Sequence, residues 1–185
     1  MKVFKLHAEL DKLIKKAQKQ DRVAQYQLYQ KYSPKMLGVA RYYIKDLQYA
    51  EDVLQKAFCK AFLNLKKYQF KGSFEGWLRR IVVTSSIDYL RQKKNLMIQT
   101  DDFSYYEHAD NPLDEVGDTS EIEKAIDKLP EGYKTVFCLY VIEEYKHKEI
   151  AELLNIDVGT SKSQLYKARK ILKEELKAYK LKTSQ

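Results

Sequence analysis

Residues 50–65 read AEDVLQKAFCKAFLNL, with apolar side chains at Ala50, Val53, Leu54, Ala57, Phe58, Ala61, Phe62 and Leu65. Steps of three and four residues repeat without a break, the spacing of one buried face of an α-helix. Glu51, Asp52, Gln55, Lys56 and Lys60 fall on the other side. Upstream, Leu6, Leu10, Leu13, Ile14 and Ala17 mark one more helix, and Ala24, Leu28 and Tyr32 mark its continuation or successor. Ser33-Pro34 is a start signal for another, with serine as the cap and proline at the first helical position. Nothing alternates with a period of two for long enough to make a sheet. The predicted fold is all-α.

A chain of 185 residues fits one medium domain or two small ones. With 6 glycines and 3 prolines it is neither collagen-like nor a Gly/Pro-rich disordered chain, and 44% hydrophobic residues suffice to close a core. No apolar run approaches the ~20 residues that span a bilayer. The N-terminal MKVFKLHAELDKLIKK lacks the apolar centre and small-residue cleavage site of a signal peptide. A soluble, cytoplasmic protein is therefore expected. Cys59 and Cys138 form no CxxC pair, and His7, His108 and His147 are scattered, so no metal site is expected. Both cysteines read as reduced core thiols.

The net charge of +8 favours an anionic partner such as nucleic acid. Its distribution says more. Residues 1–95 hold 21 basic and 8 acidic side chains, a net of +13. Residues 96–118 hold 7 acidic and no basic ones, whereas residues 119–185 hold 13 basic and 11 acidic, a net of +2. The acidic stretch also carries Pro112 and Gly117 and shows no helical period. It reads as a linker between two helical domains.

Two segments carry binding chemistry. In YQFKGSFEGWLRRIVVTSSIDYLRQKK (68–94), Lys71-Gly72-Ser73 is a turn and Ser73 is placed to cap the next helix. That helix sets Trp77, Arg79, Arg80, Thr84, Asp88 and Arg91 among Leu78, Ile81, Val82, Ile87 and Leu90. Single-stranded nucleic acid is held by aromatic faces under its bases and cations beside its phosphates. Phe70, Phe74, Trp77, Arg80, Arg91, Lys93 and Lys94 offer both, although a tryptophan on a helix also serves as core packing. In KHKEIAELLNIDVGTSKSQLYKARKILK (146–173), Ile150, Leu153 and Leu154 give a short helix its apolar face, with Ala151 small enough for close approach. Asn155 suits a left-handed helix end, and Asp157 suits the cap of a second helix packed through Val158, Leu165, Ala168 and Leu172. This is a helix-turn-helix pattern. Its second helix exposes Thr160, Lys162, Ser163, Gln164, Tyr166, Lys167 and Lys170, residue types that meet base edges and phosphates in a major groove. A plain helical hairpin with a hydrophilic outer face has the same pattern.

AEDVLQKAFCKAFLNL (50–65), FKGSFEGWLRRIVVTSSIDYLRQKK (70–94) and LPEGYKTVFCLYVIEEYKHKEIAELLNIDVGTSKSQLYKARKIL (129–172), in that order across an acidic linker, resemble an extracytoplasmic-function sigma factor. This is the two-domain branch of the sigma-70 family of bacterial RNA polymerase initiation factors. The resemblance runs from about Asp21 to Leu176. It implies a region 2-like helical bundle at 1–95, a flexible acidic linker at 96–118 and a region 4-like helix-turn-helix domain at 119–185. It further implies that Glu51, Asp52, Gln55 and Lys56 meet the clamp of core RNA polymerase. Phe70, Lys71, Ser73, Phe74, Trp77, Arg80, Thr84, Asp88 and Arg91 would recognise and melt the promoter −10 element. Thr160, Lys162, Ser163, Gln164, Tyr166, Lys167 and Lys170 would read the −35 element. The implied partners are core polymerase, promoter DNA and an anti-sigma factor able to hold the chain at the inner membrane. No cofactor, metal, small-molecule substrate or catalysis is implied. The chain departs from the family at Ser161, where a branched apolar residue is common, at Gln164, where arginine is, and at Lys56, where an acid is frequent.

Other readings fit less of the chain. A helix-turn-helix regulator leaves the +13 N-terminal half without a task. An enzyme would need a Gly-rich phosphate loop, metal-ligand spacing or a Ser/His/Asp grouping, and none is present. A helical adaptor predicts protein binding without promoter-specific transcription.

Overall fold

Every apolar run with a period of 3.6 becomes a helix, and the capping residues set where the helices begin. The computed structural model describes residues 2–100 and 121–183. Its α-helices are α1 (Lys2–Gln18), α2 (Arg22–Arg41), α3 (Leu47–Leu63), α4 (Phe74–Thr100), α5 (Glu121–Asp127), α6 (Glu131–Phe137), α7 (His147–Leu154) and α8 (Val158–Thr183). A 3-10 turn at Leu65–Lys67 follows α3, and a π-helical turn at Cys138–Ile142 follows α6. No strand occurs among the described residues. Asp21 accepts the Ala24 N–H and Asp46 the Tyr49 N–H, each at 3.0 Å, closing the open donors that begin α2 and α3. Ser73 Oγ accepts the Gly76 N–H at 3.0 Å and begins α4, as the turn signal predicts.

The chain divides into two compact units, Met1–Leu90 and Arg91–Gln185. In the first, Ile14, Leu28, Met36, Val39, Val53, Leu54, Phe58, Leu78, Val82, Val83 and Ile87 form the interior of a bundle of α1 to α4. Among the residues of α4 whose burial is described, through Lys93, Ile87 is the last buried one. The helix runs through Thr100, five residues into the stretch expected to be a linker. The rest of that stretch lies outside the described residues. In the second unit, α6 and α7 pack on α8, with Leu129, Val136, Leu139, Ile150, Leu165, Ala168 and Leu172 inside.

Three sequence expectations are corrected. Ser33-Pro34 starts no helix, because Pro34 sits within α2. Proline removes the bond to the Gln30 carbonyl, but Gln30 and Pro34 are both exposed, so water can serve that carbonyl. The face Leu28, Tyr32, Met36, Val39 continues across the break and keeps the helix whole. Cys59 is exposed, one step past Phe58 and off the buried stripe, whereas Cys138 is buried as expected. Burial pushes the Cys138 thiol up to about 12 against the opposing pull of Lys134, so it stays protonated and inert. Val158, expected to face inward, is 36% exposed at the start of α8.

Lys134 was not singled out by sequence. Its side chain is 5% exposed and its ammonium donates to Asp127 at 2.7 Å, tying α6 to the end of α5. Removing one partner of a buried pair leaves a desolvated charge, whereas replacing both with apolar groups does not. Asp127→Asn should lower stability by about 2–3 kcal/mol, and Asp127→Leu with Lys134→Met should recover most of the loss. Denaturant unfolding of the full chain checks both.

Candidate nucleic-acid interface

The loop between α3 and α4 is built around Tyr68. Its ring is buried and lies 5.0 Å from Phe70, 5.5 Å from Phe74 and 5.5 Å from Trp77, centroid to centroid. Its hydroxyl donates to the Gly72 carbonyl at 2.8 Å, closing the turn in which Gly72 takes a φ of +91°. From α1, the Gln18 carboxamide donates to the Leu65 and Tyr68 carbonyls, both at 3.0 Å. A single side chain thus fastens the loop to the bundle. Phe70 holds a φ of +59°, a conformation costly for a bulky residue and one that persists where the surroundings enforce it. Burial raises the phenol pKa values of Tyr32 and Tyr68, helped by Glu75 at Tyr32 and Asp11 at Tyr68, so both stay neutral.

The sequence-predicted residues of this segment separate into two groups. Phe74 is 3% exposed, packed on Tyr32, Tyr68 and Trp77, and belongs to the core rather than to a base-contacting surface. Trp77 is half-buried, its ring 5.5 Å from Tyr68 and 5.7 Å from Phe74, centroid to centroid. Phe70 is half-buried, and Lys71 and Ser73 are exposed. Trp77, Arg80, Thr84, Asp88 and Arg91 recur at three and four residues and line one face of α4 over about 21 Å. Arg80, Thr84 and Arg91 are exposed. Thr84 Oγ1 donates to the Arg80 carbonyl at 2.7 Å, and the Asp88 carboxylate is already engaged by Lys60 of α3 at 3.3 Å. On α3, Glu51, Asp52, Gln55 and Lys56 are all exposed and contiguous, opposite the buried Val53, Leu54, Ala57 and Phe58.

In the second unit, α7 ends at Asn155 in the left-handed conformation (φ +52°, ψ +53°), and α8 begins three residues later. This is the helix-turn-helix geometry expected. Lys162, Ser163, Tyr166 and Lys170 face outward, Tyr166 with 71% of its surface exposed. Thr160 is half-buried, and its carbonyl accepts from Ser163 Oγ at 3.0 Å. Gln164 and Lys167 lie on the flank next to α6. The Gln164 carboxamide covers Gly132, where an added Cβ would lie 3.6 Å from Nε2, and Lys167 Nζ sits 5.8 Å from the Tyr133 ring centroid. Lys167 is nonetheless exposed, so of the seven expected residues only Thr160 and Gln164 are half-buried.

Ser161 is fully buried between α7 and α8, and its hydroxyl lies 2.9 Å from His147 Nδ1. The imidazole stacks on Tyr140 at 4.6 Å, and the guanidinium of Arg169 lies 5.7 Å from the same phenol ring. Burial, then Lys162 and Arg169, hold the His147 pKa below its ordinary 6.5. Gln18, Tyr68 and this His147–Ser161 pair were not read from the sequence as site-forming residues. Gln18 and His147 have partners well along the chain, whereas the ring and hydroxyl partners of Tyr68 lie within the same loop and the start of α4, where residue type alone does not tell a central ring from its neighbours.

The family model described as Sigma-70 region 2 matches residues 28–96, and that described as Sigma-70, region 4 matches residues 119–172. The chain is 32% identical over 181 residues to the ECF RNA polymerase sigma factor SigW of Bacillus subtilis, covering 91% of this chain and 97% of that one. It is 29% identical over 178 residues to the ECF RNA polymerase sigma-E factor of Haemophilus influenzae, covering 89% and 93%. Among solved structures it shares the fold of the sigma factor RpoE, crystallised with the anti-sigma factor NepR from Bartonella quintana. The TM-score is 0.54 at 20% identity, covering 82% of this chain and 96% of that one.

Two outcomes follow from these contacts. Gln18→Ala removes two hydrogen bonds from the loop and should cost about 1–2 kcal/mol in denaturant unfolding. The His147 pKa is lower in the fold than its ordinary value, so between its folded and unfolded pKa values the unfolded chain binds more protons. Stability from this residue is present above the ordinary value and is lost as pH falls below it. Between about pH 7.5 and about pH 5.5, wild type should lose more thermal stability than His147→Gln.

Proposed function

The chain belongs to the sigma-70 family of RNA polymerase sigma factors, in its extracytoplasmic-function (ECF) branch, and we propose how its exposed faces divide the work of that family. It is a transcription initiation factor that directs polymerase to promoters. A stand-alone helix-turn-helix regulator is not favoured, since the region 2 match over 28–96 gives the N-terminal unit a task of its own.

One observation carries the assignment of faces. The same chain holds an aromatic and cationic stripe on α4 and, in the other unit, a helix-turn-helix. Melted single strand and intact duplex need such different surfaces: stacking platforms for unpaired bases, a protruding helix for a major groove. Residues 1–95 bind core polymerase and melt the −10 element, residues 96–118 are the connecting linker, and residues 119–185 read the −35 element. On α3, Glu51, Asp52, Gln55 and Lys56 dock on the polymerase clamp, where opposite charge orients the encounter more than it tightens it. On α4, Trp77 stacks beneath an unpaired base, with Phe70 at the loop beside it. Arg80 and Lys71 hold phosphates, and Arg91 meets the upstream duplex. Flipping a base out of its stack costs a few kcal/mol, which the Phe70 loop offsets. On α8, Lys162, Ser163, Tyr166 and Lys170 meet base edges and phosphates directly, with Thr160, Gln164 and Lys167 along the flank.

The acidic linker has the same sign of charge as RNA and occupies polymerase channels until the transcript displaces it. An anti-sigma factor is a partner in keeping with the solved sigma factor complex, and the chain acts in the cytoplasm as a binding protein rather than an enzyme. No helix among the described residues is long and apolar enough to cross a membrane.

Transcription by bacterial core polymerase on sheared genomic DNA tests the assignment. Discrete transcripts should appear only with this chain. Trp77→Ala should reduce them about tenfold or more, and Lys162→Ala about fivefold or more. Core polymerase that binds the chain yet starts no discrete transcript would count against the promoter roles. Transcripts indifferent to both substitutions would remove the two faces from the account.

A further inference from the structure

The strand-binding surface extends beyond the 70–94 segment: we propose that Lys15, on α1, holds a phosphate of the single strand stacked at Phe70 and Trp77. The inference rests on reading that segment as the single-strand surface and adds a residue from a different helix.

Geometry places Lys15 there. Its ammonium lies 5.5 Å from the centroid of the Phe70 ring, and its side chain is exposed. One turn further along α1, Gln18 grips the carbonyls of Leu65 and Tyr68. Helix and loop are therefore held together, and the ammonium keeps its station beside the ring instead of sampling solvent at large. Phe70 is itself fixed in the left-handed region against Tyr68, so both members of the pair are positioned in advance.

In the free protein the ammonium occupies the ring face that an unpaired base would use. An exposed cation–π contact is worth about 0.5–1 kcal/mol, so a base can displace it cheaply. A displaced ammonium at the edge of a stacked nucleotide is then beside the backbone, and neutralising a phosphate there releases a counterion. Lys15 so serves two states in turn: it covers an apolar ring when no strand is bound and meets the phosphodiester when one is. Asp11, one turn earlier on α1, lies close enough to Tyr68 for its charge to act on that phenol. A carboxylate there repels phosphate, leaving the Lys15 end of the helix as the favourable side for the backbone.

A structural role predicts something different. If Lys15 only shields Phe70, removing it frees the ring face and tightens binding or leaves it alone. If it holds a phosphate, removing it weakens binding and lowers the salt dependence. Fluorescence anisotropy of the full chain with labelled oligothymidylate, titrated at several salt concentrations, separates the two. Lys15→Ala and Lys15→Gln should each weaken binding about threefold and reduce the slope of log affinity against log salt by about 0.7. Lys16→Ala, at an exposed neighbour about 100° further around the helix, should leave the slope near wild type. Trp77→Ala and Arg80→Ala report on the surface itself. Should they weaken binding while the Lys15 variants leave affinity and slope unchanged, or tighten binding, the surface stands and the proposal is overturned. Failure of the wild type to bind, or indifference to Trp77→Ala and Arg80→Ala, overturns the proposal together with the reading of the surface.

Discussion

Tyr68 is the residue on which the first unit's working surface depends. Its ring is the common neighbour of Phe70, Phe74 and Trp77, its hydroxyl closes the turn at Gly72, and its carbonyl accepts from Gln18 of α1. A phenol serves here where phenylalanine would not. Its apolar body fills the space beneath the loop, while its one polar atom satisfies a carbonyl that the turn would otherwise leave to solvent. The loop can therefore present a strained Phe70 and a Trp77 that are both half-buried beside it. Phe70 and Trp77 each rest on the one buried Tyr68 ring.

The second unit solves a different problem with less apolar material. Its interior includes two polar arrangements, Lys134 with Asp127 and Ser161 with His147. Both lie where helices cross. Such pairs contribute little net stability compared with well-packed hydrophobes, but each has one satisfying geometry and so fixes how the helices meet. At the start of α7 an uncharged imidazole also suits the helix dipole, since a cation there would oppose the partial positive charge of the first turn. The angle between α7 and α8 decides which side chains of α8 reach outward, and the serine that departs from the family pattern supports that angle through its hydroxyl.

Local periodicity made the helices legible. Ala50, Val53, Leu54, Ala57, Phe58 and Ala61 are buried as the stripe requires. Where residue type was allowed to outvote position, the sequence misled: Cys59 was assigned to the core on composition, yet its place next to Phe58 puts it on the polar side. Ser33-Pro34 carried a valid start signal that a continuous buried face overrode, because cap preferences of about 1 kcal/mol compete with the burial of several large side chains. For the candidate site, the helix that bears each residue was legible but its outward direction was not. Phe74 and Trp77 are both aromatic, three residues apart and packed on Tyr68; the further contact with Tyr32 of α2 belongs to Phe74, which is buried where Trp77 is half-buried. Gln164 and Lys162 likewise differ only in which of them meets α6.

Charge explains why two such units are more useful joined than apart. With a net of +13, residues 1–95 would attract any nucleic acid, and base stacking tolerates every base, so under the proposed roles this part alone would discriminate poorly. With a net of +2, residues 119–185 would draw little from the phosphate backbone, so under the proposed roles base contacts from α8 would carry a larger share of a weak affinity. On that proposal, affinity without selectivity in one part and selectivity without affinity in the other would become complementary once a single chain, held on polymerase, presents both. Linking raises the effective concentration of the second contact to the millimolar range for a short flexible connection. Strengthening α8 with further cations would then raise binding to every duplex alike and erode the discrimination that the low charge preserves.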